Sequence, residues 1–230
     1  MALSDDLKEE IKKIFCDVWS TRKGLVVPES NDIKLDNDAV ILDGTVLYAD
    51  INESTNLVDN YNSEFAAEIY RSFLHCTAKI IRAEGGTITS YDGDRIMAVY
   101  IGKSKNSDAT RIALKINYAV KNIINPSIRR QYQKTSFLVK HVVGIDTSKL
   151  MVARTGIRGS NDLVWVGQSA NYAAKLSSRP GPPTQITAKV YGRLNNSSKF
   201  GKDNVNMWQK TSASELGTMI IYTSKWSWKV

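Results

Sequence analysis

Apolar residues along this chain recur with two different periods, and the switches between them outline its elements. In residues 4–16, Leu7, Ile11, Ile14 and Phe15 repeat at helical spacing, and Ser4 stands where an N-cap belongs. Residues 20–40, around Gly24, Pro28 and the run Glu29–Asp32, are polar and turn-rich and read as a connecting arm. The pattern then changes. In "AVILDGTVLYADI", Val46, Leu47, Tyr48, Ala49 and Ile51 form a short, nearly continuous apolar run, as expected of a strand covered on both faces. Between Ser63 and Glu84 a helical stripe returns (Phe65, Ile69, Phe73, Cys76, Ile80), and Gly85-Gly86 stops it. "TITSY" and "RIMAVYI" flank Asp92-Gly93 as a hairpin. A second helix is expected over residues 107–125, with Ile112, Ile116, Ala119 and Ile123 inward and Pro126 beyond its end.

The C-terminal half continues with a strand over 136–146 and a loop carrying Arg154 and Arg158. A strand "LVWVG" and a helix over 169–178 follow, and "RPGPP" breaks that helix before the strand "TQITA". Two more strands are expected in "NVNMWQKT" and "TMIIYTSKWSW". The order strand, helix, hairpin, helix, strand, strand, helix, strand is α+β and matches the split βαβ, ferredoxin-like arrangement. Residues 1–40 read as an N-terminal helix and arm, and 41–230 as the body, without repeats.

Composition narrows the functional classes. No apolar run approaches the roughly 20 residues needed to span a bilayer, and the charged start is no secretory leader. Cys16 and Cys76 form no spaced framework, so a reduced, cytoplasmic protein is the simplest expectation. A net charge of +8 suits an anionic partner, but it is dispersed, which argues against nucleic acid and against stable membrane association. His75 and His141 have no companion at ligand spacing and read as structural. Trp226 and Trp228 share one face between lysines; a terminal strand over the core outweighs membrane contact or base stacking.

Three aspartates carry the candidate chemistry. In the split βαβ arrangement the first strand and the hairpin can lie side by side, so Asp50 and Asp94 would converge on one edge. Converging carboxylates suit hard divalent cations, and paired metals serve displacement at phosphorus. On the residues alone, the alternative stands equally: Asp92 and Asp94 form the turn, and Asp50 caps the next helix.

"TVLYADINESTNLV", "GGTITSYDGDRIMAVYIG" and "WVGQSANYAAKL" resemble, in order and spacing over about residues 41–190, three motifs of the class III nucleotidyl cyclase catalytic domain. The resemblance implies that Asp50 and Asp94 bind two divalent metal ions, Mg²⁺ or Mn²⁺, assisted by the Ile51 carbonyl. It makes Asn171 the residue that orients the ribose. Lys175 falls where the family has an arginine on the phosphates; a lysine supplies charge without the bidentate fork, and Arg154 or Arg158 would share its role. The substrate is then a nucleoside triphosphate. The ribose 3′-oxygen attacks the α-phosphorus in line as pyrophosphate leaves, in a head-to-tail homodimer whose protomers share each site.

Ser90 stands where purine cyclases carry lysine or glutamate, and Val164 where they carry aspartate or cysteine, so neither purine-selecting pair is present. With "GLVVPES" and "GIRGSNDLVWVGQSANYAAKL", the chain is most similar to the bacterial pyrimidine cyclases of the Pycsar anti-phage system. That resemblance implies cyclic UMP or cyclic CMP as product, with uracil slightly preferred, acting on a separate effector. Tyr48 is the candidate base reader; a plain core tyrosine is the alternative. The rival functions are a purine cyclase, an inactive cyclase-homology module and a basic nucleic-acid binder.

Overall fold

In the computed structural model, which describes residues 2–230, the amphipathic N-terminal stretch is a helix, α1 (Leu3–Cys16), and none of its residues is buried. It starts on Ala2, so Ser4 lies within the first turn and caps nothing. The stripe of Leu7, Ile11, Ile14 and Phe15 lies bare. The C-terminal end of α1 is what is anchored: Asn37 Nδ2 donates to the carbonyls of Ile14 at 2.9 Å and Asp17 at 2.7 Å. The following arm is more regular than its turn-rich composition predicts. It contributes a strand, β1 (Ser20–Lys23), that pairs in parallel with the start of β2 (Asp38–Ile51), and Arg22 clamps Asp38 across the pair at 2.6 Å.

β2 is the axis of the sheet. Leu47, Ala49 and Ile51 face the main core, while Val40, Leu42 and Val46 face a second one on the other side. Shelter on both faces is why its sequence is nearly all apolar instead of alternating. A short helix that the apolar pattern does not reveal, α2 (Ser54–Asn60), precedes α3 (Ser63–Ala83). The Asn62 side chain caps α3 by accepting from the Phe65 amide at 2.8 Å. Phe65, Ile69, Phe73 and Ile80 are buried as the stripe predicts, but Cys76 is only half-buried and its neighbour Thr77 takes the inner position.

The hairpin is β3 (Thr87–Asp92) and β4 (Arg95–Tyr100). The next helix, α4 (Lys105–Ala119), does not end before Pro126 as expected. It widens into a π-turn over residues 120–124 and continues as α5 (Asn125–Gln131). Proline has no N–H to donate and its ring crowds the preceding turn. The wider turn, with the Asn125 amide on the Val120 carbonyl, leaves room for it, and Pro126 becomes a first-turn residue of α5. Ile123, expected inward, is 45% exposed on that turn.

β5 (His141–Ile157) starts later and runs much further than the strand expected over 136–146, because it pairs antiparallel with β2 from Ile51↔His141 to Ala39↔Ala153. β6 (Ser160–Val166) folds back on its far end, and α6 (Gln168–Ser177) returns over the sheet. β7 (Thr184–Thr187), the short helices α7 (Ala188–Gly192) and α8 (Asn196–Lys199), β8 (Gln209–Ala213) and β9 (Met219–Ser224) complete the chain. The main path of the sheet is β3-β4-β2-β5-β7-β9-β8, with β1 on β2 and β6 on β5. Its first four members have the ferredoxin-like order that the element sequence implies.

The last strand ends at Ser224, short of the tryptophans. The tail still closes on the protein, since the Trp228 amide donates to the Leu114 carbonyl at 3.1 Å and Asn117 Nδ2 donates to the carbonyls of Lys225 and Trp226.

Gly144 in β5 sets the seat of α6. A Cβ there would stand 2.2 Å from the Ala173 carbonyl oxygen and 2.5 Å from the Ser177 nitrogen, so only glycine lets the helix backbone lie directly on the strand. No helix among the described residues is long and apolar enough to cross a membrane.

Candidate active site

Asp50 lies one residue from the end of β2 and is only 7% exposed. It faces the α6 side of the sheet with Tyr48 and Val46, since alternate strand residues share a face. β2 pairs with β4 through Ala49↔Ile96, so the next position brings Arg95 beside Asp50. Arg95 Nε and Nη2 donate to Asp50 Oδ2 at 3.0 and 2.8 Å, and Nη2 also donates to Ser178 Oγ, just past α6, at 2.9 Å. Burial pushes the Asp50 carboxyl above the ordinary carboxylate value; Arg95 pulls it back, and the nearby Asp94 pushes it up again.

The hairpin tip departs from the turn read in the sequence. Asp92 is the last residue of β3 and pairs with Arg95, so the two central turn residues are Gly93 and Asp94. Gly93 takes φ +59°, the left-handed value that a glycine-first two-residue turn requires. Asp92 is therefore not in the turn. Asp94 turns the chain and also carries the candidate carboxylate. Its Oδ2 is buried and has no hydrogen-bond partner. The opening alternatives for these two acids are thus not exclusive.

One strand step from Asp50, Ser90, Met97, Tyr48 and Gly144 form a row across β3, β4, β2 and β5. A β-bulge between Ile88 and Ser90 resets the register that aligns Ser90 with Met97. Tyr48 is half-buried against the second core, with the Arg95 guanidinium 6.0 Å from its ring centroid. Burial raises its hydroxyl pKa, with Arg95 opposing and Asp92 adding to the shift. Tyr70 on α3 also feels Asp94 and Asp50.

α6 turns Ala170, Ala173, Leu176 and Ser177 inward, leaving Asn171 and Lys175 exposed on its outer side, four residues apart. The remaining candidates are remote within the chain. Arg154 belongs to β5 itself, not to a loop, with its Nε donating to Asn161 Oδ1 at 2.7 Å, and Arg158 sits in the β5–β6 turn. Val164 pairs with Ala153, eleven residues along β5 from the Val142 that pairs with Asp50, or about 35 Å of strand. One chain therefore brings together Asp50, Asp94, Tyr48 and Ser90, and keeps Arg154, Arg158 and Val164 apart from them.

Sequence reasoning missed Arg95 and Ser178. The clue for Arg95 was available: it follows Asp94 directly and shares a face with Met97 in "RIMAVY".

No family model matches the chain. It is, however, 48% identical over 231 residues to a uridylate cyclase of Xanthomonas perforans, with 100% of both chains covered. It is 49% identical over 232 residues to a uridylate cyclase of Burkholderia cepacia, again with 100% of both covered. The chain belongs to the uridylate cyclase family. It is a nucleotidyl cyclase. A further uridylate cyclase, from Rhodovulum sp. (strain MB263), is 37% identical over 91% of this chain and 90% of its own. Among solved structures the fold matches the adenylyl cyclase CyaB from P. aeruginosa, with TM-score 0.66 at 21% identity over 81% of this chain and 95% of that one. It also matches the guanylyl cyclase Cya2, with TM-score 0.67 at 16% identity over 82% and 94%. The architecture is thus that of the class III cyclase catalytic domain.

The residues of this cyclase fit a divalent cation between Asp50 and Asp94. The Asp94 charge acts on the Asp50 carboxyl, one oxygen of Asp94 is buried without a partner, and Arg95 beside them binds Asp50 and Ser178 but not Asp94. Among the described residues no group of three or more His, Cys, Asp or Glu comes together, here or elsewhere, so the side-chain donors at this site are the two carboxylates.

Proposed function

We propose that this cyclase converts UTP to 3′,5′-cyclic UMP and pyrophosphate, using two divalent metal ions at sites shared by head-to-tail protomers. The carrying observation is the partnerless buried oxygen of Asp94, whose charge acts on an Asp50 held by Arg95 at the adjacent strand end. The choice of a pyrimidine is supported by the lack of a purine-selecting residue at Ser90, and that of uracil over cytosine by the names of the relatives. A cytoplasmic location and a messenger role in anti-phage defence, with a separate effector, rest on the Pycsar resemblance.

Asp50 and Asp94 would hold the metals, with the Ile51 carbonyl as a further oxygen. When bound, the ions supply positive charge to the triphosphate and acidify the ribose 3′-hydroxyl. Asn171 of one protomer orients the ribose so that its 3′-oxygen lies in line with the α-phosphorus. Lys175, with Arg154 or Arg158, neutralises charge gathering on the leaving pyrophosphate. Tyr48 and Ser90 on the strand row beside Asp50 border the base, together with Val164 of the other protomer.

Incubating the purified protein with ATP, GTP, CTP and UTP separately in Mn²⁺, and weighing the products by mass spectrometry, tests this reading. Cyclic UMP should dominate. No cyclic product, or only a purine one, would sink it.

A further inference from the structure

Of the two acids at the site, only one is held. Asp50 Oδ2 receives both Nε and Nη2 of Arg95, and the same guanidinium reaches across to Ser178 Oγ at the end of α6. Asp94 Oδ2, itself buried although the residue is only half-buried, receives no donor. The cluster is therefore one cation short. It contains two carboxylates and a single guanidinium, whose fork is spent on Asp50 and a serine.

Each element of this arrangement has a physical reason. The register that puts Ile96 opposite Ala49 forces Arg95 beside Asp50, so the pair belongs to the sheet itself. Arg95 is part-buried, with its side chain 29% exposed against 11% for that of Asp50, so solvent screens the pair only partly. What can release it is a stronger cation for Asp50, or a stronger anion for Arg95.

A divalent cation approaching Asp50 and Asp94 meets a resident positive charge already on Asp50. At a separation of about 5 Å, like charges repel appreciably even at the effective dielectric of a protein surface. A nucleoside triphosphate changes that balance, because it brings several negative charges and planar oxygen arrays that guanidinium binds in bidentate fashion.

We propose that Arg95 is a resident counter-cation of the two-aspartate site: it holds Asp50 in the metal-free protein and yields it when divalent cations and the triphosphate arrive together. This rests on the reading of Asp50 and Asp94 as metal ligands. Arg95 keeps the metal-free Asp50 in its working geometry, and it makes the free enzyme a poor metal binder. Arg95 is a positioning residue here, acting through Asp50.

Mn²⁺ titrated into the full chain without nucleotide, with free Mn²⁺ read by electron paramagnetic resonance, tests the idea without any turnover. Arg95→Gln should bind Mn²⁺ about tenfold more tightly than the wild type, as expected when one competing charge pair is removed. Equal or weaker binding by Arg95→Gln overturns the proposal. Asp50→Asn separates the two layers of the argument. If Mn²⁺ binding needs Asp50 but ignores Arg95, only the counter-cation falls; if it ignores Asp50 as well, the two-aspartate site falls with it. A second measurement uses the unaltered protein: the Arg95 Nε–H signal in ¹⁵N spectra, assigned against Arg95→Lys, should keep its metal-free position when nucleotide is added alone and move when saturating Mg²⁺ and 3′-deoxy-UTP, which cannot cyclise, are added together. A signal that stays put with both present also overturns the proposal.

Discussion

Gly144 lies beneath the carbonyl of Ala173 so closely that a Cβ on it would stand 2.2 Å from that oxygen. The contact is backbone against backbone, so neither side can rotate away. Gly144→Ala must lift α6, and with it Asn171, Lys175 and the Ser178 that Arg95 holds. The expected loss is about 1–3 kcal/mol, seen as a lower urea midpoint with an unchanged slope. Cyclase activity should fall further than stability does, because the helix carrying the proposed ribose and phosphate contacts moves as a unit.

Asp94 offers the opposite trade. Its buried Oδ2 lacks a partner and its charge acts on Asp50, so it weakens the fold it belongs to. Asp94→Asn should raise Tm by about 2–4 °C, the shift that roughly 1 kcal/mol brings at this size, while abolishing product formation. Thermal unfolding and a UTP assay on one sample check both halves. A Tm that falls with activity retained would contradict the assignment.

His141 gives the fold a pH dependence of its own. It is 5% exposed, its Nε2 has no partner, and burial pushes its imidazole down from 6.5 to about 3, with Lys121 adding to the shift. The unfolded chain therefore binds a proton below pH ~6.5 that the folded protein refuses until pH ~3, and stability falls as the pH falls through that window. Between pH 6.5 and 5 the expected loss is about 2 kcal/mol. Urea midpoints at those two pH values should separate for the wild type, and His141→Leu should narrow the gap.

Shared sites imply complementation. Asp94→Asn and Asn171→Ala should each be inactive alone, since every dimer then lacks one half of both sites. Mixed in equal amounts and allowed to exchange, half the dimers are mixed and each has one intact site, so about a quarter of wild-type activity should return. No recovery, with exchange verified by mass, would place both residues in a site made by one chain.

How much of this could be read in the sequence depended on whether a residue's environment is local. β2 was legible because shelter on both faces leaves an unbroken apolar run, and the hairpin because Gly93 punctuates it. The second half of β5 was not. Thr147, Ser148 and Lys149 interrupt its apolar pattern, and only pairing with β2 makes them strand. The π-turn before Pro126 was hidden for a related reason, since a proline marks a helix break unless a wider turn absorbs it. Arg95 was missed because its partner Asp50 lies 45 residues away. α1 shows the converse case: its stripe was plain, but nothing among the described residues covers it.

The length of β5 has a consequence for dose. Because its far end carries Arg154, Arg158 and Val164 some ten residues beyond the level of Asp50, a lone protomer of the proposed shared-site dimer would own two incomplete halves and no whole. Output would then follow the population of pairs and rise with the square of protein concentration while pairs are scarce. Doubling the enzyme would quadruple its product.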